Sequence, residues 1–505
     1  MPSLWGIGDL GSSAYHFVDF LAETNQSLWQ VLPLNPVGPG DSPYQSSSVF
    51  AGNPLLISVD RLLEEGLLQE EQVKKALLKA SEKISDPDFE GLKRLKENLL
   101  RQAYSVFQTV IKKQRSKAVS NLAIASASNS AVKLGSENST YLTLSKYEEF
   151  IERHSGWLKD FALFQALKKK FNGVPWFEWD EEIAMRDPEK LKECAESLIS
   201  EIEFNQFVQY TFYFQWQELK AYASLNNIQI IGDMPLYVAS DSCDVWVNRK
   251  FFKLDERGKP SKVAGVPPDY FSKTGQLWDN PVYNWEALAA SDYVWWKKRL
   301  KHSLSIFDYV RVDHFRGLEA YWEIDAEEET AINGRWLKGP GKRFMESLIS
   351  EFGELPLIAE DLGVITPEVD SLRQIFGLPG MKVVQFTPLH EVADLEPQFI
   401  YYSGTHDNNT LLGWRILQMQ SDLVGETEEI KIRQECRCLI EEMYEGSAAW
   451  VIIPLQDILG LGDEARMNTP GTVGDNWSWQ APSELLTDDV KEWLKSLTLR
   501  AQRNL

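Results

Sequence analysis

Short apolar runs alternate with longer amphipathic segments along most of the 505-residue chain. The short runs are rich in Val, Ile, Leu and Tyr, a composition typical of strands that are buried on both faces. The longer segments repeat apolar residues at helical spacing, for example at residues 207–225 and 428–445. This order of elements predicts an α/β fold, and specifically a (β/α)8 TIM barrel. The predicted strands lie at residues 28–32, 228–232, 308–312, 355–359, 382–386, 399–403 and 450–455.

The predicted strands fall one short of the eight that such a barrel contains. A helical segment at residues 14–23 precedes the strand at 28–32 and should itself follow a strand, but residues 1–5 are too short to supply it. We therefore expect the first barrel strand to be missing from the N-terminus, unless it lies elsewhere in the chain.

Two segments interrupt the alternation and are predicted as insertions into a single catalytic domain over residues 1–505. Residues 61–199 carry charged helical sequence, so we predict a helical insertion there. Within it, residues 116–143 are rich in Ser, Asn and Ala with little periodicity, which indicates a flexible surface loop. A smaller insertion is predicted over residues 233–290.

The charge balance excludes several kinds of partner. The chain has 74 acidic and 52 basic residues, a formal net charge of -22, which repels phosphate backbones and anionic lipids. We therefore expect no nucleic-acid and no membrane partner, and a monomer or a weak homo-oligomer. No run approaches the roughly 18 to 20 apolar residues of a membrane span, and no signal peptide is visible. These features predict a cytoplasmic protein, with a plastid origin left open if the N-terminus is truncated.

Carboxylates follow three of the predicted strands directly. Asp313 follows the strand at 308–312, Glu360 follows 355–359, and Asp407 follows 399–403 by four residues. In a β/α barrel such positions project into the mouth at the carboxyl ends of the strands, where active sites lie. A single Asp there could equally cap the next helix. Three such ends, two of them beside a histidine in a chain with six, are harder to explain as caps.

Three carboxyl groups in one mouth suit the cleavage of a glycosidic bond with retention of configuration. That reaction needs a carboxylate nucleophile, a protonated carboxyl that acts as acid and then as base, and support for a cationic transition state. Mutual repulsion should keep one of the three protonated, while Arg311 and the neighbouring imidazoles keep the others ionised. The chemistry requires no metal and no cofactor.

At these residues the sequence resembles the amylomaltases, or disproportionating enzymes, a branch of the α-amylase superfamily built on a β/α barrel with helical insertions. The resemblance runs over nearly the whole chain. It rests on ordered motifs that include Gly40-Asp-Ser-Pro-Tyr-Gln45, Gly232-Asp-Met-Pro235, Ala264-Gly-Val-Pro-Pro-Asp-Tyr-Phe271, Ala359-Glu-Asp-Leu-Gly-Val-Ile-Thr-Pro367, Glu464-Ala-Arg-Met-Asn468 and Asn476-Trp-Ser-Trp479.

The resemblance implies a 4-α-glucanotransferase that acts on an α-1,4-glucan donor and acceptor. It implies that Asp313 is the nucleophile, Glu360 the general acid and base, and Asp407 the carboxylate that grips the sugar in the transition state. A loop over residues 263–280 would lower the access of water. The substrate-contacting residues that it implies are Arg311, His406, Tyr44, Asp233, Asp269, Phe271, Gln276, Trp278, His314 and Asn468. For Tyr44, Phe271 and Trp278 taken alone, plain packing is the stronger interpretation.

The chain departs from the family pattern near the expected substrate. Pro39 stands where some members have a glucan-binding tyrosine, Asp279 where a glycine follows the loop tryptophan, and Gln480 where an arginine is frequent. Residues 387–397 form a short connection that contains His390. A mainly hydrolytic α-glucanase and a catalytically weakened glucan-binding protein therefore remain as alternatives.

Overall fold

The computed structural model describes residues 3, 5, 7–81, 89–127, 143–268, 272–387, 398–419, 425–472, 474 and 476–503. Its strands are β1 (Leu28–Gln30), β2 (Gln229–Met234), β3 (Lys262–Val266), β4 (Gln276–Pro281), β5 (Tyr309–Val312), β6 (Ala320–Asp325), β7 (Arg335–Lys338), β8 (Leu357–Ala359), β9 (Gly380–Val383), β10 (Phe399–Tyr402) and β11 (Trp450–Ile452).

The helices fill most of the sequence between these strands. They are α1 (Ser12–Glu23), α2 (Val59–Glu64), α3 (Glu70–Ser81), α4 (Phe89–Ala127), α5 (Leu144–Arg153), α6 (Ser155–Lys170), α7 (Glu181–Ala184), α8 (Pro188–Ser197), α9 (Ile199–Leu225), α10 (Cys243–Val247), α11 (Trp285–Ala290), α12 (Val294–Ile306), α13 (Gly341–Phe352), α14 (Pro367–Ile375), α15 (Leu411–Gln418), α16 (Glu426–Glu445), α17 (Leu455–Ile458) and α18 (Asp488–Arg500).

Seven strands form two parallel sheets, in the orders β1-β2-β5-β8 and β9-β10-β11. They correspond to the seven predicted strands, so those predictions are confirmed. The match is loosest for 382–386, because β9 ends at Val383 and residues 384–386 form a 3-10 turn. The neighbouring edges of the two sheets meet where the backbone N–H of Ala359 donates to the carbonyl of Pro379 at 2.9 Å.

The two parallel sheets enclose one apolar interior. Its six fully buried side chains come from strands of both sheets and are Ile231, Ile358, Met381, Val383, Ile400 and Tyr402. The Tyr402 hydroxyl donates to Gln30 Oε1 at 2.9 Å, which ties β10 to the loop end of β1 across that interior. No hydrogen-bonded pairing joins β11 to β1 among the described strands, and none of the described residues before α1 belongs to a strand. The observed fold is therefore α/β with two open parallel sheets.

Helices α2 to α9 lie between β1 and β2 and cover the region predicted as helical. The flexible loop predicted at residues 116–143 is wrong in its first part, because α4 continues to Ala127. Residues 116–127 include four alanines, and alanine has the highest helix propensity, which outweighs the serines in the same stretch. Residues 128–142 of the predicted loop lie outside the described part of the chain.

A third sheet, antiparallel and of order β4-β3-β6-β7, packs beside the parallel strands. The loop predicted at 263–280 is wrong at both ends, because residues 263–266 belong to β3 and residues 276–280 to β4 of this sheet. Residues 269–271 lie outside the described part of the chain. The sheet also recruits β6 and β7 and thus extends beyond the 233–290 boundary of the predicted insertion. The alternation of apolar and polar residues in these strands is too weak for the sequence to predict them.

Of the helices that the structure describes, none is long and apolar enough to cross a membrane. All four cysteines are free thiols, as predicted; Cys194, Cys243 and Cys436 are buried and Cys438 is exposed.

Candidate functional site

The polar residues of the site lie at the carboxyl ends of neighbouring parallel strands. Asp233 is near the end of β2 and pairs in register with Arg311 of β5, and Asp313 follows β5 directly. Glu360 follows β8, the next strand of the same sheet. Adjacent parallel strands end at the same edge of a sheet, so the four side chains converge there.

Arg311 connects two carboxylates of the site. Its Nη1 donates to Asp233 Oδ1 and Oδ2, both at 2.8 Å, and to Asp313 Oδ1 at 3.0 Å. The guanidinium and Asp233 are almost fully buried, whereas the Asp313 side chain keeps 29% of its surface exposed. A buried charged pair with this geometry holds Arg311 in one orientation. The exposed face of Asp313 is the one that a substrate can approach.

Backbone amides orient Glu360. The N–H of His314 donates to Glu360 Oε2 at 2.7 Å, and the N–H of Leu362 donates to Oε1 at 3.0 Å. His314 has a left-handed conformation, with φ 52° and ψ 45°, which is uncommon for a residue other than glycine. This turn aims the His314 amide at Glu360, and it places the Glu360 carboxyl next to the residue that follows Asp313.

Burial raises the pKa of both Asp313 and Glu360 above their ordinary values, and their mutual repulsion adds to the rise on Asp313. Arg311 opposes the rise through its direct contact with Asp313 Oδ1. Within the described part of the chain no Lys or Arg forms a salt bridge with Glu360. If one carboxyl oxygen of Glu360 is protonated, both oxygens can still accept from the backbone amides of His314 and Leu362. Direct contact with a guanidinium thus distinguishes Asp313 from Glu360, whose oxygens accept from backbone amides.

The imidazoles of the site are neutral, which corrects the expectation that they keep the carboxylates ionised. Burial and the nearby Arg316 lower the pKa of His314 to about 3. Burial also lowers the pKa of His406, although Asp407 beside it works in the opposite direction. The positive charge beside Asp313 thus comes from Arg311.

Asp407 lies in the turn between β10 and α15, and three groups surround it. Asn468 Nδ2 donates to Asp407 Oδ1 at 2.6 Å, and His406 Nε2 lies 3.4 Å from the same oxygen. Arg466 Nη2 donates to the Asp407 carbonyl at 2.8 Å. The Asp407 side chain keeps 45% of its surface exposed, so it can still contact a bound sugar.

Tyr44 joins the two halves of the site. Its hydroxyl donates to Asp233 Oδ2 at 2.6 Å, and its ring stacks on His406 with centroids 5.0 Å apart. Trp477 lies against the same two rings, at 6.0 Å from Tyr44 and 5.8 Å from His406. These contacts connect the strand end at β2 to the loop after β10.

The β3–β4 hairpin covers the site from the other side. Trp278 of β4 donates through Nε1 to Gln276 Oε1 at 3.0 Å, and its ring meets His314 edge-on at 4.8 Å. Gln45 Nε2 donates to the Trp278 carbonyl at 3.1 Å, which fixes the hairpin to the segment that carries Tyr44. The predicted positions Asp269 and Phe271 lie outside the described residues.

Asp279 occupies a position that favours glycine. It is exposed on β4 and has a φ of 60°. Asp279→Gly should raise the free energy of unfolding by about 0.5–1 kcal/mol, because glycine adopts this conformation without strain and only part of that gain is lost to unfolded-state entropy. Urea unfolding measures the change. The control Asp279→Ala keeps the strain, and an equal gain for Ala and Gly would contradict the explanation.

The structure brings together most of the predicted site residues, namely Tyr44, Asp233, Gln276, Trp278, Arg311, Asp313, His314, Glu360, His406, Asp407 and Asn468. Sequence reasoning missed Gln45, Arg466 and Trp477. Each of them lay within a quoted motif, and Gln45 and Arg466 lay one and two positions from the chosen Tyr44 and Asn468. That proximity was the available signal.

Comparison with known proteins identifies the family of the chain. The sequence profile described as 4-alpha-glucanotransferase, that of glycoside hydrolase family 77, matches residues 1–486. The chain belongs to the 4-alpha-glucanotransferase family. The resemblance stated from the motifs is therefore confirmed.

Two curated 4-alpha-glucanotransferases illustrate how far the similarity extends. The one from Synechocystis is 43% identical, and the alignment covers 99% of this chain and 95% of the relative. The one from Aquifex aeolicus is 41% identical over 98% of this chain and 96% of the relative. The similarity therefore extends over almost the full length of this chain and of both relatives.

A solved structure of the family has the same fold. The amylomaltase from Streptococcus agalactiae, in complex with acarbose, superposes with a TM-score of 0.86 at 35% identity, over 99% of this chain and 97% of the other. The predicted α/β fold is thereby confirmed at the level of the family.

Proposed function

We propose that this 4-alpha-glucanotransferase moves segments of α-1,4-glucan by double displacement, with Asp313 as the nucleophile. The observation that carries the proposal is the asymmetry of the two buried carboxyls. Arg311 contacts Asp313 and stabilises its charge, whereas Glu360 is held by neutral backbone amides. A retaining transfer needs one ionised carboxyl as the nucleophile and one protonated carboxyl as the general acid.

In the first step the Asp313 carboxylate attacks the anomeric carbon of the donor, and the bond to the leaving oxygen breaks. Glu360 gives its proton to that oxygen, so the displaced glucan leaves as an alcohol. In the second step Glu360 takes the proton from the 4-hydroxyl of an acceptor, which attacks the same carbon and releases Asp313. The proton and both carboxyls are then restored.

Asp407 supports the sugar in the cationic transition state. Its Oδ1 already accepts from Asn468 Nδ2, while the exposed part of the carboxylate is available to sugar hydroxyls. Hydrogen bonds of this kind strengthen as positive charge develops on the ring. Tyr44 and His406 hold the loop of Asp407 against Asp233. They thereby fix the position of Asp407 relative to Asp313 and Glu360.

The architecture that supports this chemistry is a β/α barrel whose sides are the two parallel sheets. Residues 61–199 are its helical insertion, and the antiparallel sheet of β3, β4, β6 and β7 takes the place of the smaller insertion predicted at 233–290. The β3–β4 hairpin lowers the access of water, which favours an acceptor glucan over hydrolysis. A cytoplasmic location and a monomeric or weakly associating state remain predictions.

Incubation with maltotriose alone tests the transfer reaction. Transfer produces glucose together with a ladder of oligosaccharides longer than the substrate, because every cleaved segment goes to another maltotriose. Products that are only shorter than maltotriose would indicate the alternative, a mainly hydrolytic glucanase. The absence of any product would indicate a glucan-binding protein without catalysis.

The pH profile of the reaction should report on Glu360. Burial raises the Glu360 pKa above its ordinary value of 4.5, and only the protonated form can assist departure of the leaving oxygen. The value of kcat/KM should therefore fall as the pH rises through this elevated pKa. In Glu360→Gln the alkaline fall should disappear from the residual activity, and its persistence would contradict the assignment.

A further inference from the structure

Trp336 is exposed, whereas the other 17 tryptophans of the chain are buried or partly buried. It lies on β7, the edge strand of the antiparallel sheet, and 38% of its surface is accessible. Among the large apolar side chains that are exposed in the described residues, it is the one tryptophan. Exposed aromatic rings of this kind mark binding surfaces more often than other exposed apolar residues do.

Two contacts hold the Trp336 ring in place. The Arg316 guanidinium lies over it, 3.9 Å from the ring centroid, and Trp322 packs at 5.3 Å with its ring plane inclined by 66°. Trp322 is the register partner of Trp336 on β6, and its own Nε1 donates to the Ala331 carbonyl at 2.9 Å. The exposed ring is thus supported from beneath and loses little freedom when it binds a flat ligand.

Arg316 links Trp336 to both catalytic loops. It lies three residues after Asp313, and its Nη1 donates to the carbonyl of Val364, four residues after Glu360. The side chain of Val364 is exposed. Because both loops follow strands at their carboxyl ends, Trp336 lies on the side of the molecule that carries the active site.

An open groove of about 430 Å³ lies between α13 and α14, and we call it the outer groove. Its lining residues include Glu319, Lys342, Pro367, Glu368, Ser371 and Ile375, and Trp336 is not one of them. Lys338 is two positions after Trp336 and therefore on the same face of β7, and it forms a salt bridge with Glu319. This salt bridge connects the outer groove to the face of β7 that carries Trp336.

The chemistry of the outer groove suits a sugar chain. Its volume lies within the range of about 300–1,000 Å³ that is typical of small-molecule sites. Carboxylates, a hydroxyl and an ammonium group offer hydrogen bonds to sugar hydroxyls, while the Trp336 ring offers an apolar face for a sugar ring. The outer groove reaches the first turn of α14, which the loop of residues 361–366 connects to Glu360.

We propose that Trp336 and the outer groove bind the part of an α-1,4-glucan chain that extends beyond the active site on the Glu360 side. This inference rests on the proposed function, in which Glu360 serves the leaving and accepting oxygen. The chain bound there is thus the displaced or accepting glucan. A polymer long enough to span from Glu360 past Val364 gains contacts that a short oligosaccharide does not.

Kinetics with two chain lengths test the proposal. Trp336→Ala should raise the KM for amylose as acceptor about three- to tenfold, the scale of one lost aromatic contact, and leave kcat/KM for maltotriose within about twofold. Trp336→Phe keeps a flat ring and should restore most of the amylose KM. Leu225→Ala, an exposed apolar residue at the end of α9 and outside the outer groove, is the control for surface changes.

Binding to an inactive protein separates this proposal from the proposed function. In the Asp313→Asn background, calorimetry should show that Trp336→Ala weakens amylose binding by the same about three- to tenfold factor and leaves maltotriose binding unchanged. Loss of affinity for both ligands, or for neither, would overturn the outer-groove assignment. Failure of the maltotriose ladder in the parent protein would instead overturn the function.

Discussion

Replacing Asp313 by Asn is expected to lower kcat/KM for maltotriose disproportionation by at least about 10³-fold, the scale of removing a nucleophile. The amide has nearly the same shape, so it still fills the space beside Arg311. The amide cannot attack the anomeric carbon as an anion. Among the described residues, the one other carboxylate in contact with Arg311 is that of Asp233, which is almost fully buried. The chemical step therefore has no substitute nucleophile.

Initial rates and the free energy of unfolding should be measured on the same preparations. Asp313→Asn should fold as stably as the parent or more so, because burial raises the pKa of Asp313 and removal of a partly desolvated charge offsets the lost ion pair. Asp489→Asn, on the exposed first turn of α18, is the matched control and should keep full activity. A rate within about tenfold of the parent for Asp313→Asn would refute the assignment.

Replacing Glu360 by Gln should lower the same rate by about 10²–10⁴-fold, the usual contribution of general acid and base catalysis. The side-chain amide can still accept an N–H with its oxygen, so the loop of His314 and Leu362 should persist. What is lost is the proton for the leaving oxygen in the first step and the base for the acceptor hydroxyl in the second.

Altered substrates divide this loss between the two steps. A maltosyl fluoride donor needs no proton to leave, so the first step should recover in Glu360→Gln while the second remains slow. Azide is a nucleophile that needs no base, and it should restore turnover and yield a maltosyl azide of retained configuration. Asp313→Asn is the control: azide can displace the fluoride there only directly, in a single displacement that inverts the configuration. A maltosyl azide of retained configuration from Asp313→Asn, or no recovery in Glu360→Gln, would contradict the division of roles.

The parallel strands could be predicted because each is a short apolar run, and most of them are buried. All seven were identified from composition and spacing alone. The antiparallel sheet could not, since β3, β4, β6 and β7 are each partly exposed. Their pairing depends on contacts between distant segments, such as that of β3 with β6, which leave no local period in the sequence.

The three carboxylates of the proposed active site could be chosen from the sequence because each lies at or just after a strand end. Their electrostatic environment could not, because it depends on burial and on contacts between strands. The sequence placed His314 and His406 beside the carboxylates and suggested that they supply positive charge. Their burial lowers their pKa values instead, which leaves Arg311 as the cation. The interlocking of Tyr44, His406 and Trp477 is likewise a property of the folded chain.

Trapping of the covalent intermediate tests the central claim most directly. Glu360→Gln should be incubated with maltosyl fluoride in the absence of an acceptor, digested and analysed by mass spectrometry. The account predicts that the peptide that contains Asp313 gains the mass of one maltosyl group, because the first step proceeds and the second is blocked. A maltosyl group on Asp233, Asp407 or any other residue would contradict the account.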